Sequence, residues 1–191
     1  MKTKVKAVSE LVLGVLFIIM TILGYYKEVS HMWEYCFLSG IVAGIVFISA
    51  YIHYLITKKH IAEWIFLDCT TDISLILIIT LAMNLNVEGA FQFIHIINPM
   101  LLLLFWFIFC NSRSNKKTGL AVSTLFFPLV YLAVSFVRLK MTGLCAFPAN
   151  MILKWTPQII ALPVVIGLSA IVLIYGLGLH YMNRIVHKEN L

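Results

Sequence analysis

Residues 34–57 read EYCFLSGIVAGIVFISAYIHYLIT, and after Glu34 no Asp, Glu, Lys or Arg appears until Lys58. An uncharged, mostly apolar run of that length makes a helix of about 35 Å, which crosses a hydrocarbon core of about 30 Å. It lacks the period-two alternation of a barrel strand. Backbone groups in lipid must be satisfied within their own segment, so the run predicts a membrane-spanning helix. Lys58, Lys59 and His60 follow it as headgroup-facing residues.

Outward from this stretch, comparable runs predict spans near 7–27, 62–84, 92–111, 119–139 and 157–183. The expectation is an all-α bundle of six transmembrane helices forming one domain over residues 1–191. Composition agrees: the chain is 62% hydrophobic and 12% charged, with a mean hydropathy of +0.99. A soluble domain of this length needs far more polar surface. Lys2, Lys4 and Lys6 ahead of an apolar run look like a secretory signal. That run is too long for one, and no small-residue cleavage site follows near Gly24 to Tyr26, so it reads as the first span.

Basic residues set the orientation. With the N-terminus inside, the cytoplasmic segments hold Lys2, Lys4, Lys6, Lys58, Lys59, Arg113, Lys116, Lys117, Arg184 and Lys188. The outer segments hold only Lys27, Arg138, Lys140 and Lys154. Both ends are therefore expected in the cytoplasm. The net charge of +6 reads as membrane orientation rather than a nucleic-acid footprint.

Cys36, Cys69, Cys110 and Cys145 show no CxxC spacing and no disulfide framework. The connection from Lys140 to Pro157, with Gly143, Phe147, Pro148 and Trp155, is expected to lie on the outer interface. Pro99, Pro128 and Pro163 fall inside helices and are expected to kink them. Gly40 and Gly44 form a GxxxG pair that favours a close helix contact. Tyr25, Tyr26 and Trp33 fit an outer aromatic belt and Trp64 an inner one. His53, His60 and His180 lack metal-ligand spacing and read as interfacial; no metal or cofactor is expected.

Ionisable groups at membrane depth are costly and mark function by default. Asp68 and Asp72 share one face of the third helix, one and two turns beyond Glu63. They either bind a cation or relay protons, or pair with hydroxyl or basic partners and fix helix register. On the outer side, Cys36 in the second helix and His95 in the fourth both sit roughly one turn below their helix ends. A thiol at the depth of an imidazole is the minimum for an activated nucleophile. Gln92 and Asn98, three residues either side of His95, are placed to orient its ring. The competing reading is inert packing for the thiol and an interfacial imidazole.

The stretch Phe93-Ile94-His95-Ile96-Ile97-Asn98-Pro99, followed by Phe105-Trp106, resembles the histidine-to-proline-to-tryptophan signature of the androgen-induced-protein-like membrane family. Phe127-Pro128-Leu129-Val130-Tyr131 with Arg138, and then Phe147-Pro148, resemble its later elements. The resemblance runs from about residue 31 to 180. It implies intramembrane acyl chemistry on lipids in a multi-pass protein of the bacterial plasma membrane, with His95 in the histidine role. The family's aromatic-Thr-x-Leu-Ser-Asn pattern lines up with Tyr35-Cys36-Phe37-Leu38-Ser39-Gly40, so Cys36 replaces the threonine nucleophile and Gly40 the asparagine. A cysteine-type transmembrane acyltransferase branch is similar in pairing such a cysteine with the histidine. The acidic residue the family places after the aromatic-proline element is absent, and Lys154 stands in that neighbourhood.

These readings make an acyl-lipid hydrolase or acyltransferase the first expectation. Cys36 and His95 are its reacting pair, Ser39, Asn98 and Arg138 its substrate-binding residues, and Asp68 and Asp72 structural supports. Membrane lipids are the expected partners. The alternatives are a small-molecule or ion-binding transporter subunit and a catalytically inactive lipid-binding relative.

Overall fold

The computed structural model describes residues 2–27, 29–85, 87–112, 118–155 and 158–187, and all regular structure among them is helical. Helix α1 spans Lys2–Tyr25, α2 Tyr35–Thr57 and α3 Glu63–Ala82. Helix α4, residues 90–109, is continuous but changes pitch: Ala90–Gln92 is α-helical, Phe93–Ile97 is a π-turn, and Asn98–Phe109 is α-helical again. A 3₁₀ segment, Thr118–Leu125, leads into α5, Phe126–Thr142, and after a π-turn at Met151–Trp155 comes α6, Gln158–Val186. Five helices are long and apolar enough to cross a membrane, and Phe93–Phe109 is a shorter apolar helix. Arg113, Lys116, Lys117, Pro157 and Lys188 lie outside the described residues.

Two boundaries differ from expectation. Helix α1 starts about five residues early, because Lys4, Lys6 and Ala7 are good helix formers and carry the helix past the apolar run. The fifth span is α-helical only from Phe126, since the preceding Thr, Gly, Val and Ser residues favour helix weakly. Pro128 thus falls in the first turn of α5, where its missing backbone donor costs least.

Glycine brings α1 and α2 together. A Cβ on Gly44 would stand 2.9 Å from the Gly14 carbonyl oxygen, and one on Gly14 would stand 2.8 Å from Ile48 Cγ1. Gly40 likewise faces Thr21. Around this contact, Phe47 meets Phe17, Phe66 and Phe105 edge-on or tilted, at centroid distances of 5.7, 5.0 and 4.9 Å.

Helix α6 is pinned to α4 by polar groups. Trp106 Nε1 donates to the Leu179 carbonyl at 3.3 Å. Asn183 Nδ2 donates to the Trp106 and Cys110 carbonyls at 2.8 and 3.0 Å, and its Oδ1 accepts from the Ser112 amide at 2.9 Å. One side chain thereby caps the end of α4, whose last carbonyls have no partner within the helix.

Several residues depart from their expected surface roles or from notice altogether. His60 turns inward rather than to headgroups: its Nδ1 meets Glu10 Oε1 at 3.0 Å and its ring stacks on Tyr54. Burial and the charge of Lys6 push its imidazole below the ordinary value, against the effect of a backbone contact at Thr3. Glu10, the one carboxylate in α1, is wholly buried in this pair. Lys6 reaches Glu63 at 3.6 Å. His180 is also buried rather than interfacial, and Tyr25 is buried rather than part of a belt. Its ring is wedged between Phe37 and Phe91.

The α1–α2 contact makes a stability prediction. Gly44→Ala should lower unfolding free energy in detergent by roughly 1–3 kcal/mol through overpacking. Gly178→Ala, where a Cβ would meet nothing within 4 Å, should leave it unchanged.

Candidate functional site

A cavity of about 400 Å³ lies between the start of α2, the second half of α3, the π-turn of α4, the first turns of α5 and the first half of α6. Its wall is aliphatic, aromatic and proline side chains, interrupted by Tyr35, Cys36, Thr80, His95, Tyr131 and Ser169. Such a shape, with few polar groups on an apolar lining, is that of a small-molecule or lipid-chain site. Helices α5 and α6 both line it yet share almost no close contact with each other. The structure thus brings Cys36 and His95 to one cavity wall.

The π-turn that carries His95 has a local cause. Pro99 has no amide proton to give the His95 carbonyl, and its ring crowds that carbonyl. The chain widens by one residue, and the Asn98 amide donates to Phe93 instead. His95 Nδ1 lies 3.0 Å from the Phe91 carbonyl. A carbonyl only accepts, so Nδ1 carries the proton, and in the neutral ring Nε2 holds the lone pair. Among the described residues no group donates to Nε2, and none links it to the Cys36 thiol.

Cys36 is the second residue of α2. Glu34 forms the N-cap without a side-chain cap bond, and the Tyr35 amide donates to the Phe147 carbonyl at 3.2 Å. The next two amides, of Cys36 and Phe37, have no backbone acceptor among the described residues, as befits the first turn of a helix. Cys36 therefore sits at the N-terminal end of the helix dipole, beside two first-turn amides.

The other candidate site residues, Ser39, Asn98, Asp68, Asp72 and Arg138, stand off the cavity wall. Ser39 is buried and donates to the Cys36 carbonyl at 3.3 Å. Asn98 is buried within α4. Asp72 accepts from the Tyr35 hydroxyl at 2.9 Å, and Asp68 accepts from the Ser123 hydroxyl at 2.6 Å. Arg138 lays its guanidinium over the Trp33 ring, 4.7 Å from the centroid. All four cysteines are free, and no cluster of His, Cys, Asp or Glu able to hold a metal ion occurs among the described residues. In the loop after α5, burial pushes the Cys145 thiol up, opposed by the charges of Arg138 and Lys154.

Two wall residues appear in the quoted motifs, but their roles are not readable from sequence. The Tyr131 hydroxyl donates to the Phe147 carbonyl at 2.7 Å, and with the Tyr35 amide it holds the 147–149 segment over the cavity. Tyr35 is fixed by Asp72 and by edge-on contacts with Phe127 and Tyr131. Tyr131→Phe removes one of the two bonds to Phe147. Amide hydrogen exchange should then rise at residues 146–150 and stay unchanged in α1.

The chain matches no protein-family model, no curated protein and no solved structure.

Proposed function

We propose that this chain is an integral membrane protein of six spans with both ends in the cytoplasm, and that it transfers or hydrolyses acyl groups of membrane lipids. The observation that carries the chemistry is the shared apolar cavity of Cys36 and His95, with the imidazole tautomer set by Phe91. The resemblance to the androgen-induced-protein-like family supports the same reading, as does the basic-residue asymmetry for orientation. A bacterial plasma membrane is the proposed location.

In this reading an acyl chain lies along the cavity from the seam between α5 and α6. His95 Nε2 removes the Cys36 proton, and the thiolate attacks the ester carbonyl. The oxyanion is met by the amides of Cys36 and Phe37. Collapse expels the alcohol, which takes the proton from His95, and leaves an acyl-thioester on Cys36. Water or an acceptor alcohol then attacks that thioester with His95 as base. The thiol and imidazole are not bonded at rest, so substrate must bring them within reach.

That gap also favours a second reading, a lipid-binding protein without chemistry. An ion-carrying role draws less support, because Asp68 and Asp72 each hold a hydroxyl and stand off the wall.

Two outcomes are expected. An alkyne-tagged long-chain acyl thioester should label the protein, His95→Ala should slow labelling by roughly 10²-fold or more, and Cys36→Ala should abolish it; labelling that survives in Cys36→Ala would exclude Cys36 as nucleophile. For topology, alkaline phosphatase fused after Glu88 should be active, and fused after Thr57 or at the C-terminus inactive.

A further inference from the structure

Cys36 is the second residue of α2, and a short connection joins the other end of α2 to the start of α3. Cys36 therefore lies at the end of the bundle where α3 finishes. The Tyr35 amide holds Phe147 at this end too, so α5 arrives here and α6 leaves from it. The wall residues farthest from this end are Leu75 in α3, Pro128 in α5 and Val172 in α6. Among the described residues, none of α3 before Leu75 and none of α6 after Val172 lines the cavity.

What stops it lies directly beneath. Ser74 precedes Leu75, and Tyr175 follows Val172 by about one turn. The Tyr175 hydroxyl donates to Ser74 Oγ at 2.9 Å, and Ser74 is wholly buried. This bridge draws α6 onto α3 and closes the space between them. Toward α2, the Tyr35 ring meets Phe127 and Tyr131 edge-on and closes that side as well. The cavity thus has a floor at the end opposite Cys36.

Its depth follows from the helices. Leu75 is seven residues from Ala82, where α3 ends, and Val172 is seven from Val165, the first α6 residue on the wall. Both spans are about 10 Å. An extended alkyl chain advances about 1.3 Å per carbon, so it meets the floor after about eight carbons. A chain that fills one leaflet runs about 15 Å, half the hydrocarbon core, and overruns the floor. Its excess can bend out through the seam between α5 and α6, where Leu129, Leu168 and Ile171 line the cavity and are exposed.

We propose that Leu75 and Val172, backed by the Ser74–Tyr175 bridge, determine the length of acyl chain that the cavity holds, about eight carbons below a carbonyl beside Cys36. The occupant comes from the acyl-lipid reading above, on which this rests; the transfer step itself is not required. Chains up to that length lie extended in the cavity, and longer ones turn at the floor into the lipid.

The test uses the full-length protein in lipid nanodiscs with Cys69, Cys110 and Cys145 replaced by Ala, so that a small methanethiosulfonate reads Cys36 alone. Straight-chain alcohols from hexanol to hexadecanol compete with it, and the half-protecting concentration is measured at each length. Dividing variant by wild type at each length cancels the partitioning of the alcohol into lipid. Val172→Phe should leave hexanol unchanged and raise the value for decanol and longer chains about tenfold, the cost of forcing a chain against a raised floor. Tyr175→Ala should leave hexanol unchanged and lower the value severalfold from dodecanol upward. Tyr175→Phe keeps the ring and should match wild type. Ratios that are the same at every length in Val172→Phe and Tyr175→Ala would overturn the proposal, as would a wild type that no alcohol protects. If Val172→Phe does not fold, Tyr175→Ala decides by the same comparison. Adding the acyl thioester to the same proteins separates the floor from the chemistry: a chain that takes no label at Cys36 yet keeps the length break refutes acyl transfer and retains the floor.

Discussion

Hydrocarbon accepts no hydrogen bonds, so in a bundle of long apolar helices most polar groups must find partners within the protein. Three hydroxyls of α3 show this most simply, although that of Thr71 has no partner among the described residues. Thr70 donates to the Phe66 carbonyl, Ser74 to that of Thr70, and Thr80 to that of Ile76, each one turn back along the helix. Ser74 also receives the Tyr175 hydroxyl, which links α3 to α6. Asp68 and Asp72 bring Ser123 and Tyr35 against the same helix, so α3 gathers contacts from α2, α6 and the segment ahead of α5. Helix α3 is accordingly the axis on which the cavity side is assembled. On the far side, where α1 meets α2, close packing of small residues takes over.

The cavity follows from what this arrangement leaves unfilled. Helices α5 and α6 lean on α3 and hardly on each other. Pro99 forces a π-turn at the depth where Cys36 begins α2. The widened turn lets one imidazole nitrogen be tied to Phe91 while the other stays unbonded. Helix packing and backbone strain relief thus place a thiol, an imidazole and two helix-end amides around one apolar space. The same space with inert side chains would be a lipid groove. What separates the two readings is the presence of Cys36 and His95 on the wall.

The helices were legible because hydropathy acts over twenty residues at once, and the positions of α2 and α3 follow from where charge begins and ends. The start of α5 was not, since a 3₁₀ entrance depends on weak preferences among Thr, Gly, Val and Ser that packing decides. Asp68 and Asp72 stand out in sequence, but their partners Ser123 and Tyr35 are remote in the chain and ordinary in type. Glu10 carries a readable signal as the one carboxylate in its helix, whereas its pairing with His60 is a tertiary fact. Arg138 reads as an anion-binding group and lies instead on Trp33, because a guanidinium stacks on an aromatic face as readily as it pairs with a carboxylate. Tyr131 gains meaning only once Phe147 is seen beside it.

The account turns on Cys36 and His95 facing the same cavity closely enough to react together. In a chain with Cys69, Cys110 and Cys145 replaced by Ala, His95→Cys leaves one thiol at each position of the pair. A short reagent that bridges two thiols should cross-link them within one chain, and a long-chain alkyl ligand should protect both from it. Two thiols that each react with a monofunctional reagent but are never bridged would place them on separate surfaces and contradict the account.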